Sequence, residues 1–328
     1  MKLAMITDSL GHLGFEPMLD IAQDLGFEAL EFACGNWSSA PHVDLDRLLA
    51  QPQARRRFLA AVSQRGMSIC ALNCSGNPLH PGAHGRRHDA VTRKTFELAG
   101  KLGVDRVVMM SGLPGGAPGD ATANWVTTAW PRENQDILRY QWDDVLIPYW
   151  RDLATLARRH GVARICLELH GHQAVYSVST LLRLRAAVGD IVGANLDPSH
   201  LMWMGADPIA AARALGPAIH HVHAKDTAID AVNAGRDGVL ETTPSARTAE
   251  RAWNYVTLGY GRDEAWWKRF CLAVAAAGYD DAMSIEHEDA SMSPEEGVEK
   301  SVRLLRAAMV NQRQPAAPVR RPQRAARR

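Results

Sequence analysis

The sequence predicts one α/β domain folded as a (β/α)₈ TIM barrel, in which eight parallel strands close into a cylinder inside a ring of helices. Eight short apolar runs alternate with eight segments of helical periodicity, which is the pattern of consecutive βα units. The chain has 328 residues, whereas barrels of this kind have about 250 residues before insertions. Long connections and a C-terminal tail account for the excess.

Each predicted strand is rich in Val, Ile, Leu or Met, as expected for a parallel strand that is buried on both faces. Asp44, Ser177 and Ser293 stand where helix N-caps are needed, and Pro294 occupies a favoured first helical position. We expect strands near residues 2–7, 28–34, 68–74, 105–111, 164–170, 192–197, 219–225 and 282–287. We expect helices over residues 15–25, 44–65, 88–102, 139–160, 176–188, 207–215, 264–277 and 293–309.

Two connections, residues 112–138 and 227–263, are too long for simple turns. Both follow strands, so in a barrel both lie at the C-terminal face, where long loops commonly form lids or substrate walls. An open doubly wound sheet is the alternative fold. It is disfavoured because such a sheet rarely places ligands from four widely separated strands around one point.

The end of the chain differs in composition from the rest. Residues 311–328 contain six arginines and no acidic residue, with Pro and Ala but no apolar period. We therefore expect a barrel domain at residues 1–310, followed by a basic, disordered tail at 311–328. The formal net charge of the whole chain is +1, so the barrel itself is net acidic. An acidic body argues against a protein that grips nucleic acid across its surface.

Cysteine usage and hydropathy point to the cytoplasm. The five cysteines are scattered, without a disulfide framework or a Cys-x-x-Cys metal motif, which suits a reducing compartment. The N-terminus enters a strand pattern directly and lacks the longer apolar segment of a signal peptide. Because no run approaches the roughly 18 apolar residues of a membrane span, we expect a cytoplasmic protein without a membrane partner.

Four potential metal ligands stand at the ends of four successive predicted strands. They are Glu168 in ICLELHG, Asp197 in VGANLDPSH, His223 in IHHVHAKD and Glu286 in AMSIEHED. A TIM barrel collects catalytic residues from the ends of several strands at one mouth. Three carboxylates and one imidazole suit one hard or borderline divalent ion. We expect Mn²⁺, with Mg²⁺, Co²⁺ or Zn²⁺ as alternatives.

The motifs LELHG, NLDPSHL, HVHAKD and SIEHED, in this order, resemble those of the xylose isomerase-like barrel superfamily, in particular its sugar phosphate isomerase/epimerase branch. That branch includes ketose 3-epimerases and inosose dehydratases. The resemblance covers residues 1–309 and implies that Glu168, Asp197, His223 and Glu286 bind one divalent metal. It also implies that the two glutamates act as catalytic bases on opposite faces of the substrate.

The resemblance extends to two histidines. It implies that His200, three residues after Asp197, touches the substrate or completes a second metal site. The segment NCSGNPLHP resembles a substrate-facing loop after the third strand, which would bring His80 to the same pocket.

Four other residues complete the predicted substrate contacts. Lys225 and Asp226 either bind substrate oxygens or form a structural pair. His170 points the same way as Glu168, because side chains two apart share a strand face, and it either contacts substrate or orients a ligand. Trp37 lies in a loop at the expected mouth, where its ring either stacks on a sugar or simply covers the barrel mouth.

These residues favour enolisation chemistry. A sugar with a ketone beside a hydroxyl chelates a divalent cation through both oxygens, and a carboxylate then removes the neighbouring C–H proton. We predict a divalent-metal-dependent isomerase or epimerase of a keto-sugar or related polyol, which acts through a metal-stabilised enediolate. The leading alternative is a lyase or dehydratase of the same fold that cleaves 3-oxo-glycosides or dehydrates an inosose by β-elimination. Long Trp-containing loops would suit the bulkier substrate.

Two further hypotheses have less support. An endonuclease of the same barrel type, which cuts DNA at abasic sites, would need additional His and Asp ligands for a three-zinc cluster and a basic groove. A barrel that only binds sugar is disfavoured because all four ligand types are present. We expect a small-molecule carbohydrate as substrate, and the resemblance leaves a homo-oligomer or a small partner subunit open.

Overall fold

The computed structural model describes residues 1–309, so the predicted basic tail at 311–328 lies outside the described residues. Within them, eight parallel strands close into a barrel in the order β1-β10-β7-β6-β5-β4-β3-β2, which confirms the predicted TIM barrel. The barrel strands are β1 (Lys2–Ile6), β2 (Ala29–Ala33), β3 (Ser68–Asn73), β4 (Arg106–Met109), β5 (Arg164–Glu168), β6 (Val192–Leu196), β7 (Ile219–Ala224) and β10 (Ala282–Ile285).

Helices cover the outside of the barrel, and most begin and end within a few residues of their predicted bounds. None of them, within residues 1–309, has the length and apolar character needed to cross a bilayer. The helices are α1 (Phe15–Asp24), α2 (Leu45–Ala50), α3 (Pro52–Gln64), α4 (Ala83–Leu102), α5 (Glu133–Arg139), α6 (Ile147–Arg159), α7 (Val178–Val188), α8 (Pro198–Trp203), α9 (Pro208–Leu215), α10 (Ala231–Asp237), α11 (Glu264–Ala276) and α12 (Pro294–Ala308).

Two predicted helices differ in detail. The helix expected over residues 44–65 divides into α2 and α3, because Gln51 adopts an extended conformation before Pro52, as residues before proline tend to do. The helix expected over 139–160 instead starts at α5 and passes through a π-helical segment, Tyr140–Leu146, before α6. The short helix α8 was not predicted at all.

The main core lies between the strands and the helices. Outward-facing strand residues such as Leu30 and Phe32 share this core with helix residues such as Phe96, Trp150 and Trp267, and all five are fully buried. Burial of large apolar side chains of this kind stabilises the fold by about 1.5–3 kcal/mol each. The alternate strand residues face the barrel axis.

Two register shifts change which side chains point inward. The pairing of β2 with β3 shifts just before Glu31, and the pairing of β6 with β7 shifts just before Asn195. At the second shift the partners on β7 step from Ile219 to His221, so His220 is an extra residue. A β-bulge of this type re-aims the side chains beside it and is common next to active sites. Gly193 accommodates the extra residue, since a Cβ there would lie 2.4 Å from the His220 ring.

Residues 227–263, predicted as a long loop, contain regular structure. Strands β8 (Asp226–Ile229) and β9 (Trp253–Val256) form an antiparallel ribbon, with α10 in the connection. The Trp253 ring stacks on Trp203 of α8, with ring centroids 4.8 Å apart. Because the two paired strands lie far apart in sequence, no local pattern indicated the ribbon.

Gly100 of α4 lies in close contact with the C-terminal end of α6. A Cβ on Gly100 would lie 2.3 Å from the carbonyl oxygen of His160. Helix propensity alone favours Ala over Gly by about 1 kcal/mol, but overpacking typically costs about 1–3 kcal/mol. We expect Gly100→Ala to lower the free energy of unfolding by about 1–2 kcal/mol in urea titrations.

The matched control is Gly235→Ala in α10. Nothing lies within 4 Å of a Cβ at Gly235, so helix propensity acts alone and the variant should be neutral or slightly more stable. Equal effects of the two substitutions would show that the contact with His160 is not the cause.

Candidate metal centre

The four predicted ligands converge at the C-terminal mouth of the barrel. Glu168 ends β5, Asp197 follows β6, His223 lies in β7 and Glu286 follows β10. One donor atom from each lies within 4.8 Å of the other three. His223 Nδ1 is 3.1 Å from Oε2 of Glu286 and 3.4 Å from Oε2 of Glu168. A donor set of this composition and spacing suits one divalent ion.

The carboxylates of this group are buried together. Burial raises the pKa of Asp197 to about 7, and the neighbouring Glu168 and Glu286 carboxylates add to the shift. Burial likewise raises the pKa of Glu168. Burial also acts against ionisation of Glu286, but the Lys225 ammonium and His223 hold its pKa well below the usual range. The group therefore carries excess negative charge that a cation would neutralise.

Asp197 provides a direct test of whether the site fits a metal. Its Oδ1 accepts a hydrogen bond of 2.7 Å from the backbone N–H of Ser199 at the start of α8. Its Oδ2 is buried without a hydrogen-bond partner in the described chain. Buried polar atoms are nearly always paired, so an unpaired carboxylate oxygen beside three other donor atoms fits a metal ligand.

A cavity of about 200 Å³ opens above the group. Four of the predicted substrate contacts line its wall together with the two glutamates. The lining residues that carry polar or aromatic groups are Asp8, Trp37, Ser38, Asn73, Ser75, Glu168, His170, His200, Lys225, Glu286 and Glu288. Asp197 and His223 lie beneath them and are fully buried.

Lys225 places a positive charge in this wall. Its Nζ is 2.6 Å from Oε2 of Glu288 and 3.4 Å from Oε2 of Glu286, and it lies 4.2 Å from the centre of the Tyr255 ring. Burial opposes the charge, but the Glu286 and Glu288 carboxylates hold the pKa of Lys225 well above its ordinary value. The side chain is thus a fixed ammonium beside the candidate metal group.

His200 links Glu168 to the ribbon. Its Nε2 is 2.7 Å from Oε1 of Glu168, and its Nδ1 is 2.9 Å from the hydroxyl oxygen of Tyr255. Burial and the charge of Lys225 hold the pKa of His200 well below its ordinary value, so the ring is neutral. Since an ionised Glu168 only accepts, His200 donates from Nε2 and accepts the Tyr255 hydroxyl at Nδ1.

Two predicted substrate contacts do not line the cavity. Asp226 is fully buried, and its Oδ2 accepts hydrogen bonds from three backbone N–H groups within residues 259–262. Its carboxylate therefore holds the turn after β9, and the structural role considered for it fits better than the substrate contact. The His80 ring lies against His84, with ring centroids 3.6 Å apart and the planes tilted by 41°, and its Nδ1 accepts the backbone N–H of Gly82.

Sequence reasoning missed several polar residues behind the site. Asn195 donates a 2.9 Å hydrogen bond to Oε2 of Glu168, and Glu31 contacts His223 from below. Both stand in otherwise apolar strands, VGANL and ALEFA, and that isolated polar position was the available signal. Tyr255 had no comparable signal, because the ribbon that places it was not predicted.

A second group with metal-ligand spacing comprises Glu31, His221 and His223. It shares His223 with the first group, and residues 1–309 contain no third group of this kind. This falls short of the three-zinc cluster that the endonuclease hypothesis requires.

The chain is similar in sequence to known proteins over most of its length. Residues 19–308 match the family model described as "Xylose isomerase-like TIM barrel". The chain is 54% identical over 308 residues to the uncharacterized protein YfiH of Bacillus subtilis, covering 93% of this chain and 98% of that protein. It is 34% identical over 94 residues to the rhizopine catabolism protein MocC of Rhizobium meliloti, covering 28% of this chain and 29% of that protein.

Solved structures share the fold at low sequence identity. The probable 3-DHS dehydratase AsbF of Bacillus anthracis aligns with a TM-score of 0.65 at 18% identity, covering 93% of this chain and 99% of that one. The zinc-bound IolI protein aligns with a TM-score of 0.64 at 18% sequence identity, and the alignment covers 94% of this chain and 98% of that one. The D-psicose 3-epimerase of Clostridium cellulolyticum, solved with D-tagatose, aligns with a TM-score of 0.58 at 16% sequence identity. The alignment covers 94% of this chain and 96% of that one.

The raised pKa of Asp197 predicts that metal binding depends on pH. A carboxyl whose pKa is about 7 in the metal-free protein gains a proton below that pH, and a protonated carboxyl must lose it to ligate a metal. We expect the Kd for Mn²⁺ to be about tenfold higher at pH 6 than at pH 8. Titration calorimetry in two buffers of different ionisation enthalpy measures both the Kd and the protons released. Equal affinity at both pH values, without proton release, would contradict this.

Proposed function

Because the chain belongs to the xylose isomerase-like TIM barrel family, we propose that it is a divalent-metal-dependent isomerase or epimerase of a keto-sugar or related polyol. The main support is the convergence of four ligand atoms within 4.8 Å of one another beneath a polar cavity. Mn²⁺ is the proposed ion, with Zn²⁺, Mg²⁺ or Co²⁺ as alternatives. The residues Glu168, Asp197, His223 and Glu286 would hold it.

When bound, a divalent cation would supply Lewis acidity to the ketone and neighbouring hydroxyl oxygens of a sugar, which makes the adjacent C–H acidic. Removal of that proton needs a carboxylate beside the reacting carbon. We assign this role to Glu168 and the return of the proton to Glu286. Protonation on the opposite face gives an epimer, and protonation on the neighbouring carbon gives an aldose–ketose isomer.

The contacts of the two glutamates support these roles. The Asn195 amide and the His200 imidazole each donate to one oxygen of Glu168, which holds its carboxylate in one orientation. Glu286 is held on one oxygen by the Lys225 ammonium, 3.4 Å away. A carboxylate fixed by neighbouring donors loses little freedom when the substrate arrives, which favours a positioned base.

Lys225 supports the same chemistry. Its buried ammonium lines the cavity next to Glu286, where negative charge would develop on a substrate oxygen as the C–H proton leaves. A preorganised positive charge in a site shielded from water stabilises such an oxyanion more than it would in bulk solvent.

The names of related proteins agree with a sugar or polyol substrate. D-tagatose is a ketose, and the protein solved with it is named a 3-epimerase. MocC is named for the catabolism of a rhizopine, and the IolI structure contains zinc. These names guide the choice of substrates to test.

One observation favours the lyase alternative, in which a 3-oxo-glycoside loses its aglycone by β-elimination. A second cavity of about 230 Å³ lies among the loops at the mouth, with Trp125, Leu138 and Tyr176 in its wall. Trp125 approaches Gly171, where an added Cβ would lie 3.3 Å from its ring, and Gly171 follows His170 of the first cavity. An apolar aglycone attached to a sugar would suit this neighbouring cavity.

Solvent deuterium incorporation tests the proposal. The Mn²⁺-loaded protein is incubated in D₂O with a panel of free ketoses, inososes and 3-oxo-glycosides. Deuterium at the carbon beside the ketone of a ketose or inosose, with an epimer or isomer as product, is the expected result. Release of water or an aglycone would support the elimination alternative, whereas no exchange with any member of the panel would contradict both.

Glu168→Gln should reduce that exchange by about 10³-fold or more, because an amide cannot take the proton and a general base contributes about 10²–10⁴-fold. The fold should persist, since Gln keeps the shape of the side chain. Its oxygen can accept from Asn195, and its amide N–H can donate to His200 Nε2 if the neutral ring carries its hydrogen on Nδ1. Mass spectrometry of the recovered sugar measures exchange, and circular dichroism checks the fold.

Glu264→Gln is the control, because Glu264 makes an exposed ion pair with Lys268 on α11 and should exchange normally. Undiminished exchange in Glu168→Gln would assign the base to another residue.

A further inference from the structure

The two nitrogens of the His223 ring face different partners. Its Nδ1 points to the candidate metal group, 3.1 Å from Oε2 of Glu286. Its Nε2 lies 3.2 Å and 3.1 Å from Oε1 and Oε2 of Glu31. Glu31 comes from β2, on the far side of the barrel axis from β7, and is fully buried.

The hydrogen-bond pattern sets the direction of this contact. Glu31 also accepts from Asn73 Nδ2 at 2.8 Å and faces His221 Nε2 at 2.9 Å. The Asn73 amide has a defined orientation, because its oxygen accepts the backbone N–H of Ser75. A carboxylate that faces three N–H groups acts only as an acceptor.

His221 is oriented from its other side. Its Nδ1 lies 3.5 Å from Nη1 of Arg106, and Nη2 of Arg106 donates to Asp281 at 2.7 Å. The guanidinium has donors only, so His221 accepts at Nδ1 and carries its hydrogen on Nε2, toward Glu31. A continuous polar chain thus runs from Asp281 at the start of β10 to His223 at the mouth.

We propose that Glu31 is a positioning residue, which fixes the orientation and tautomer of His223 so that Nε2 carries the hydrogen and Nδ1 presents its lone pair to the metal. This role rests on the metal site proposed above. A carboxylate behind a ligating imidazole raises the basicity of the ligand and holds its ring, and loss of such a partner typically lowers metal affinity about 10–100-fold.

The trio of Glu31, His221 and His223 has the spacing of a second metal site, but its surroundings disfavour one. The Nε2 atoms of His221 and His223 already donate hydrogen bonds to Glu31. The buried Arg106 guanidinium beside His221 also places a positive charge next to any ion bound there. Metal stoichiometry distinguishes the two roles.

The first experiment compares Mn²⁺ binding to the full chain and to Glu31→Gln by titration calorimetry. We expect one ion per chain in both proteins, with a Kd about 10–100-fold higher in the variant. Glu31→Asp keeps the charge and should recover part of the affinity. The matched control is Glu28→Gln, since Glu28 precedes the same strand and its side chain accepts a hydrogen bond from the backbone N–H of Leu3. The affinity of this variant should equal that of the unmodified protein.

A second measurement requires no variant and decides the matter if Glu31→Gln does not fold. Histidine-selective ¹⁵N NMR of the Zn²⁺-loaded protein should show His223 with a hydrogen on Nε2 and the metal on Nδ1. The opposite tautomer would overturn the proposal, as would unchanged affinity in Glu31→Gln. Two ions per chain, one of them lost in that variant, would make Glu31 a ligand instead.

These measurements use no substrate. A panel of sugars that shows no exchange would therefore contradict the proposed reaction and leave the role of Glu31 standing. Failure of the unmodified protein to bind Mn²⁺ or Zn²⁺ would overturn both.

Discussion

Mutual repulsion among buried carboxylates is the constraint around which the mouth of this barrel is organised. Glu168, Asp197 and Glu286 place oxygens within 4.8 Å of one another in a space largely closed to water. Two such charges about 4 Å apart repel by about 4 kcal/mol at an effective dielectric constant of 20. The Lys225 ammonium offsets part of this charge, and a divalent ion would neutralise the rest. Buried like charges at this spacing lower the stability of the fold, so the group does not serve to hold the barrel together.

The interior of the barrel below the mouth is also polar. Many barrels fill their axis with layers of branched apolar side chains, but here a polar chain from Asp281 through Arg106, His221 and Glu31 reaches His223. Each member makes at least one polar contact within this chain, although the Nε of Arg106 is buried without a partner among residues 1–309. Such pairing matters because an unsatisfied buried group costs about 1–3 kcal/mol. The register shifts beside Glu31 and His221 help to aim these side chains at one another. The two register shifts and the polar chain therefore occur in the same part of the barrel.

The loops at the mouth add a second layer to the site. The β8–β9 ribbon supplies Tyr255, which orients His200 and covers Lys225, while Asp226 uses its carboxylate to hold the turn that follows the ribbon. The barrel thus provides the charge cluster, and the long connections provide its walls and its orienting hydrogen bonds. This division explains how barrels with similar strand-end ligands can process different substrates, since the walls vary independently of the strands.

The sequence by itself determined the barrel and the four residues at its mouth. Eight apolar runs separated by capped helices specify alternating units through local periodicity, and Glu168, Asp197, His223 and Glu286 each interrupt such a run where a strand ends. Only the tertiary structure decided that Glu31 faces His223 and that Asp226 turns to the backbone of residues 259–262. The reason is physical: periodicity is a property of neighbouring residues, whereas bulge positions and the β8–β9 pairing depend on contacts between segments that are distant in sequence.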